Sequence, residues 1–287
     1  MDEIKDMCIG VSGDIEKLRF VYHEKNKDRN SIFHKIGHFS LGARVWDEFD
    51  DEIVAMANMG NMTISFHPVD INFSGKLIKE EMLSLKKLIK KLPISYLEED
   101  IGIWRCGDLF LGPHQTNPAL NEEGILVTAK NILFAREFFE KEIALENPPV
   151  YSELGDINFW DYYVKLCEES KAYFAFDLGH YIGYCRTLES DATVLPDMDN
   201  VIWDKIITIH ISGMKKWKWR GVSVWLDQHS DPFDEDLISL YKQCKSWCKR
   251  LENTLLEQEG ANHQVEKLNI NSIWEAIYET SPRFSSE

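Results

Sequence analysis

The chain has 287 residues, of which 44% are hydrophobic and 28% charged, the composition of a folded globular protein with a full-sized core. Asp and Glu outnumber Lys and Arg by 48 to 32, so the formal net charge is −16 and we expect no nucleic-acid partner. No apolar run approaches the roughly 18 residues that a membrane-spanning helix needs. The N-terminus MDEIKDMC is acidic, unlike a signal peptide. We therefore expect a cytoplasmic protein without membrane contact.

Short apolar, β-branched or aromatic runs alternate with segments of helical periodicity, which predicts repeated strand-helix units around a parallel sheet. The predicted strands are 7–11, 38–45, 62–67, 94–99, 142–146, 172–177, 205–211 and 253–257. The clearest helices are 77–91, 125–141, 157–169, 235–251 and 271–279. No linker divides the chain, so we predict an α/β fold, a single (β/α)8 TIM-barrel domain spanning 1–287. The segment 181–204 is poorly patterned, and 214–234 is predicted to be a long Trp-rich loop.

The six cysteines are scattered along the chain without a CxxC pair, which predicts reduced and mostly buried thiols. Cys244 and Cys248 lie one helical turn apart. On an amphipathic helix this spacing indicates packing more than metal ligation.

Carboxylates and imidazoles follow most of the predicted strands, where catalytic groups collect in a barrel. The candidate metal ligands are His67, Glu99, Asp100, Glu146, Asp177, His180, His210, Asp227, His229 and Glu257. Some have a structural alternative: His67 could simply end a strand before Pro68, and Glu146 could hydrogen-bond a turn. Of the acidic run that contains Glu99 and Asp100, at least one member is expected to face solvent.

The sequences IALENP, YFAFDLGH and IITIHISG place charged groups directly against apolar strand residues. A buried carboxylate needs a cation, a metal or several hydrogen-bond donors, and a mixed imidazole and carboxylate shell suits iron, manganese or zinc. The donors exceed what one ion can use, so we expect at least two ions. We also predict that Asp177 and His180 bind one ion, with Gly179 allowing the sharp turn. The alternative is a carboxylate–histidine hydrogen bond in which only one of them touches metal.

The order of several motifs is similar to that of a known family. They are SFH (65–67), LEEDIGIW (97–104), LENPPVY (145–151), FDLGHYIG (176–183), IHISG (209–213), LDQHSDPFDEDLISLY (226–241) and TLLEQE (254–259). Over about 60–260 the chain resembles the domain-of-unknown-function 692 family, relatives of methanobactin biosynthesis protein B. The resemblance implies a barrel of the xylose-isomerase type that holds two or three irons, Fe(II) or Fe(III). It also implies oxidation by dioxygen of a residue, often cysteine, in a ribosomally made precursor peptide, in many cases with a small partner protein that presents the leader.

On this interpretation the catalytic residues are Asp177, His180 and His229. Asn147, His114, Trp217 and Trp219 are candidate substrate contacts. The basic, aromatic run KKWKWR (215–220) offers stacking and charge to an acidic leader segment. A surface segment that packs its own tryptophans is the alternative.

The chain also departs from the family pattern. Glu98-Glu99-Asp100 stands where the family has Ser-Glu-His, and Asp177-Leu178-Gly179-His180 stands where it has Asp-x-Asn-Asn. Met214 replaces a histidine, and the strand-two Glu-x-x-x-Glu-Asn pattern is not recognisable. Two alternatives therefore stay open. One is a zinc or manganese phosphodiesterase or sugar isomerase of the same barrel superfamily, and the other is a degenerate, non-catalytic binding subunit.

Overall fold

The computed structural model describes residues 7–27, 30–59, 61–68, 71–112, 114, 116–150, 153–198 and 200–278. Eight parallel strands close into a barrel, in the order β1-β12-β9-β8-β7-β4-β3-β2. They are β1 (Cys8–Gly13), β2 (Ile36–Gly42), β3 (Thr63–His67), β4 (Ile94–Asp100), β7 (Ile143–Glu146), β8 (Tyr173–Asp177), β9 (Ile206–Ile211) and β12 (Asn253–Leu256). Two antiparallel hairpins lie outside the barrel: β5 (Arg105–Cys106) with β6 (Leu109–Phe110), and β10 (Gly213–Trp219) with β11 (Val222–Gln228). The predicted TIM barrel is confirmed.

Helices alternate with the barrel strands. They are α1 (Ile15–Lys27), α2 (Asp51–Asn58), α3 (Lys79–Ile89), α4 (Glu122–Phe139), α5 (Phe159–Ser170), α6 (Leu178–Thr187), α7 (Asn200–Trp203), α8 (Glu235–Trp247) and α9 (His263–Tyr278), with a 3-10 turn at Ile32–Lys35. Several begin at a side chain that accepts a backbone N–H of the first turn, as Asn121 does for α4 and Asp234 for α8. The sequence prediction missed α1 and α2. Residue 279, the end of the last predicted helix, lies outside the described residues.

Side-chain alternation along the strands separates two layers. On β8 the outward residues Phe174 and Phe176 pack in the main apolar core beneath the helices. The inward residue Ala175 belongs to a small second apolar cluster with Tyr96, Ala144 and Ile207. Two residues further along β7 and β8, the inward positions carry carboxylates. On these two strands the inward side chains are therefore apolar below and carboxylates above, at the C-terminal ends of the strands.

The loop prediction for 214–234 was wrong, because this segment contains the β10–β11 hairpin. The poorly patterned segment 181–204 begins inside α6 and also contains α7. Arg220 and Gly221 connect the two strands with φ values of 48° and 88°, and Trp219 pairs with Val222. Two consecutive residues at positive φ form the tight turn whose twist matches that of a hairpin.

No disulfide joins the six cysteines, all of which the structure describes, and four of them are buried. The Sγ atoms of Cys244 and Cys248 lie 4.0 Å apart. Among the described residues, no helix combines the length and the apolar character that crossing a membrane requires.

Candidate metal centre

The C-terminal rim of the barrel brings most of the candidate ligands together. Barrel strands contribute His67 from β3, Asp100 from β4, Glu146 from β7, Asp177 from β8 and His210 from β9, and Glu257 directly follows β12. The hairpin strand β11 adds Asp227, and His229 follows it. Most of these groups line a cavity of about 480 Å³, and Asp177 and His210 are not among the lining residues.

One group of donor atoms consists of Glu146, Asp177, His210 and Glu257, which offer one atom each within 4.8 Å of one another. All four side chains are buried. Nδ1 of His210 lies 3.1 Å from Oε2 of Glu146 and 3.2 Å from Oε1 of Glu257. Three carboxylates and one imidazole at this spacing match the donor set of a transition-metal site.

A second group consists of His67, Asp100 and Glu146. Nε2 of His67 lies 3.2 Å from Oε2 of Glu146 and 3.6 Å from Oδ2 of Asp100. Glu146 belongs to both groups, so its carboxylate is placed where it could bridge two ions.

The hairpin supplies a third set of donors. Nε2 of His229 lies 2.7 Å from Oδ2 of Asp227, and Nδ1 of His229 lies 2.6 Å from Oε2 of Glu259. Nε2 of His180 lies 3.6 Å from Oδ2 of Asp227. The base of the hairpin thus places one carboxylate between two imidazoles at the edge of the cavity.

Asp177 and His180 are neighbours at the start of α6, but the geometry does not support a shared ion. Oδ1 of Asp177 caps the helix by accepting the backbone N–H of His180. Nδ1 of His180 lies 2.8 Å from the carbonyl oxygen of Asn147, an acceptor only, so Nδ1 is the protonated nitrogen. Only Nε2 of His180 can bind metal, and this atom lies beside Asp227.

Gly179 has a role different from the one expected. Its φ is not in the left-handed region, so the turn does not need glycine. A Cβ at this position would lie 2.1 Å from Oγ of Ser212 and 2.7 Å from its carbonyl oxygen. Gly179 is required because α6 packs directly against the end of β9.

Several buried donor atoms of the centre have no hydrogen-bond partner. They include Oδ1 of Asp100, Oε2 of Glu146, Nε2 of His180, Nδ1 of His210, Oδ1 of Asp227 and Nε2 of His229. Leaving one buried polar group unpaired costs about 1–3 kcal/mol. These atoms contact oppositely charged groups without a well-aligned hydrogen bond, and so many of them converging on one cavity fit metal ions, which would bind them together.

The close packing of charges shifts several pKa values. Burial opposes a charged His67, but the carboxylates of Glu146, Glu99 and Asp100 together outweigh burial and raise the pKa of His67 to about 10. Burial also opposes a charged His229, and Asp227, Glu259 and Glu257 together raise its pKa to about 12. Burial raises the pKa of Asp177 to about 7, although His180 opposes it. Burial and the charge of Glu146 also raise the pKa of Glu257.

The acidic run on β4 is entirely buried: Glu98 and Glu99 are 0% exposed and Asp100 1%. The expectation that one member faces solvent was wrong, because these residues end a central barrel strand. Asp100 contacts His67, whereas Glu99 belongs to neither group of converging donors among the described residues.

The candidate substrate contacts lie in different places. Nε2 of His114 lies 2.8 Å from Oδ2 of Asp100 in the cavity wall, with φ of 60°. Asn147 is buried. Its side-chain amide donates a hydrogen bond to the carbonyl oxygen of Asp177 and accepts one from the backbone N–H of Asp177. Trp217 is 49% exposed on the hairpin. The side chain of Trp219 lies outside what the structure describes.

Sequence reasoning missed several polar residues near the centre, Glu98 and Glu259 among them. Ser12 donates to Glu259, and Ser40 and Ser65 donate to Glu98. His38 contacts Ser65. These residues lie within or beside strands that pair only in the tertiary structure, and the only sequence signal was that His38 and Ser40 alternate on one predicted strand.

Residues 50–273 match the model of the family described as the RiPP precursor modification enzyme MbnB/TglH/ChrH, where RiPP denotes a ribosomally synthesised and post-translationally modified peptide. The chain belongs to this family. A UPF0276 protein of Vibrio parahaemolyticus is 21% identical to this MbnB/TglH/ChrH member over 212 residues, 70% of this chain and 67% of the relative. The chain thus spans about two thirds of that curated relative.

Solved structures show the same fold at low identity. A xylose isomerase domain containing protein from Salmonella typhimurium LT2 is 13% identical with a TM-score of 0.54, covering 96% of this chain and 98% of that chain. An IOLI protein with a bound zinc atom is 10% identical with a TM-score of 0.59, covering 96% of this chain and all of that one. The MbnB/TglH/ChrH member is therefore a xylose-isomerase-like barrel. Its family modifies precursor peptides, and its buried carboxylate and imidazole cluster could hold metal.

Proposed function

We propose that the protein is a multinuclear iron-dependent enzyme that uses dioxygen to oxidise a residue, with cysteine as the target, of a ribosomally synthesised peptide. Family membership supports the peptide substrate. The observation that carries the proposal is the set of buried, unpaired donor atoms at the C-terminal rim. Mixed carboxylate and imidazole donors of this kind suit iron.

The donor groups support two ions, and the hairpin set supports a third. Glu146, Asp177, His210 and Glu257 would hold the first ion, and His67 and Asp100 would hold the second with Glu146 as the bridge. Asp227, His180 and His229 would hold the third. Bound iron would supply the one-electron chemistry that dioxygen needs and a Lewis acid for a substrate thiolate.

The protein's own residues shape the substrate site. The cavity of about 480 Å³ suits an amino-acid side chain and its flanking backbone better than a folded partner. Its wall is dominated by carboxylates and imidazoles, and Arg44 is the only Lys or Arg side chain in its described lining. His114 lies in this wall with its ring near both Asp100 and Trp104, and there it would contact the substrate.

The hairpin links this cavity to a surface for the rest of the peptide. Asp227 at its base enters the centre, while Lys215, Lys216, Trp217 and Lys218 are exposed. The hairpin is held on α6, where the guanidinium of Arg186 lies 4.6 Å from the ring centroid of Trp225. An acidic leader lying on this surface would direct the following residues toward the metal centre. A small leader-binding partner protein would act at the same surface.

The test is to purify the protein without oxygen, reconstitute it with Fe(II) and measure iron per chain. Oxygen uptake and the mass of a cysteine-containing precursor peptide are then measured, with a Cys→Ser peptide as control. We expect at least two irons per chain and oxygen-dependent mass change only in the cysteine peptide. Well under one metal per chain, or equal change in both peptides, would refute the proposal.

A further inference from the structure

Directly beneath the metal centre, a chain of polar side chains crosses the barrel interior. Glu98 is at its middle. Oε2 of Glu98 lies 3.1 Å from Nε2 of His210, and Oε1 accepts hydrogen bonds from the hydroxyls of Ser40 and Ser65. None of these four side chains is more than 1% exposed. A fully buried carboxylate with three partners from three other strands has little freedom to turn.

The chemistry of a carboxylate decides where the protons lie. An ionised carboxylate only accepts hydrogen bonds, so Nε2 of His210 carries a proton and donates it to Glu98. Nδ1 of the same ring lies 3.1 Å from Glu146 and 3.2 Å from Glu257, so it also faces carboxylates and would lose its proton only on binding an ion. With an ion bound, Nε2 keeps the proton that Glu98 accepts, and Nδ1 supplies the lone pair.

The hydrogen-bonded network continues below Glu98. The hydroxyl of Ser65 donates its only proton to Glu98, so its oxygen accepts a hydrogen bond from Nε2 of His38, 2.8 Å away. Nδ1 of His38 lies 2.8 Å from Oγ1 of Thr63. The network therefore holds the Glu98 carboxylate from below in the orientation that His210 needs.

We propose that Glu98 is a positioning residue of the metal centre: it fixes His210 in the tautomer whose Nδ1 faces the ion. The inference rests on the proposed metal-binding function. Carboxylates that bond the second nitrogen of a metal-bound imidazole orient the ring, and their loss typically costs 10- to 100-fold in metal affinity.

The first test uses Zn²⁺, which is diamagnetic, and nuclear magnetic resonance of the full chain labelled with ¹⁵N-histidine. We expect the His210 ring to carry its proton on Nε2 and to bind Zn²⁺ through Nδ1. With Zn²⁺ bound, a proton on Nδ1 or metal on Nε2 would overturn the inference, and this measurement needs no substitution.

The second test measures Zn²⁺ affinity of Glu98→Gln by competition with a chelator. We expect a 10- to 100-fold loss and a mixture of His210 tautomers. The matched control is Glu266→Gln, which removes another buried carboxylate, the partner of Lys17, without touching His210. Ser65→Ala is a smaller change to the same network and should also lower the affinity for Zn²⁺. It replaces Glu98→Gln in this test if that variant does not fold.

The outcomes separate the two proposals. Failure of the wild-type protein to bind Zn²⁺ or Fe(II) would refute the proposed function and this inference with it. Tight binding by the wild type with equal affinity and tautomer in Glu98→Gln, or in Ser65→Ala, would overturn the role of Glu98 and leave the proposed function standing.

Discussion

Nδ1 of His210 lies 3.1 Å from Oε2 of Glu146, and neither atom has a hydrogen-bond partner. Oε1 of Glu257 lies 3.2 Å from the same nitrogen. These three polar atoms lie close together in a buried site without the alignment that a hydrogen bond requires. A metal ion between them would give each of them a bonding partner.

The first prediction concerns His210→Ala. We expect the protein to lose about one metal ion per chain, because this imidazole faces Glu146 and Glu257. The variant should also be destabilised by about 3–5 kcal/mol, since the buried Glu98 carboxylate loses its imidazole partner and keeps only the hydroxyls of Ser40 and Ser65. Elemental analysis and thermal unfolding measure the two effects. His34→Ala, at an exposed histidine, should change neither. Full metal content in His210→Ala would contradict the assignment.

The second prediction is that metal binding releases protons. In the metal-free protein the pKa values of His67 and His229 are raised to about 10 and about 12, so both rings are charged at pH 7. An imidazole must lose a proton to bind metal, so apparent affinity should weaken as pH falls. Calorimetric titration in buffers of different ionisation enthalpy counts the protons. Release of none between pH 7 and 8 would show that these rings do not bind the ion.

Gly179→Ala tests the contact between α6 and the end of β9. The added Cβ would meet Ser212 at 2.1–2.7 Å, including its backbone oxygen, which cannot move as a side chain does. We expect a loss of about 1–3 kcal/mol in the free energy of unfolding. The displaced start of α6 should also lower metal content, because it carries His180. Unfolding by urea and metal analysis are the measurements; a variant as stable as the wild type would contradict the contact.

The hairpin prediction concerns peptide affinity. Reversing charge at Lys215, Lys216 and Lys218 should weaken binding of an acidic leader peptide about 5-fold or more, and wild-type affinity should fall with salt. Fluorescence anisotropy of a labelled peptide measures both. The control reverses three lysines elsewhere, Lys87, Lys90 and Lys91. Equal affinity in both variants would favour a hairpin that only packs its own tryptophans.

Periodicity alone was sufficient to predict the barrel, because each strand repeats a local pattern of buried residues. It also placed His67, Asp177 and His210 at strand ends, since a carboxylate or imidazole that directly follows an apolar run is visible in the sequence. The Trp-rich segment was misread because its hairpin depends on positive φ at both Arg220 and Gly221, a conformation that arginine rarely adopts.

Only the tertiary structure decided which donors meet. Asp177 and His180 are three residues apart, yet their ring and carboxylate atoms have different partners, because the Asn147 carbonyl occupies Nδ1 of His180. Glu98 belongs to an acidic run of which at least one member was expected to face solvent, and its role depends on hydroxyls from β2 and β3 and an imidazole from β9. A strand's own residues determine its alternation, but the register against its neighbours and the closure of the barrel determine which atoms come into contact. The contact between Glu98 and His210 joins residues 112 positions apart, a separation at which no local pattern carries information.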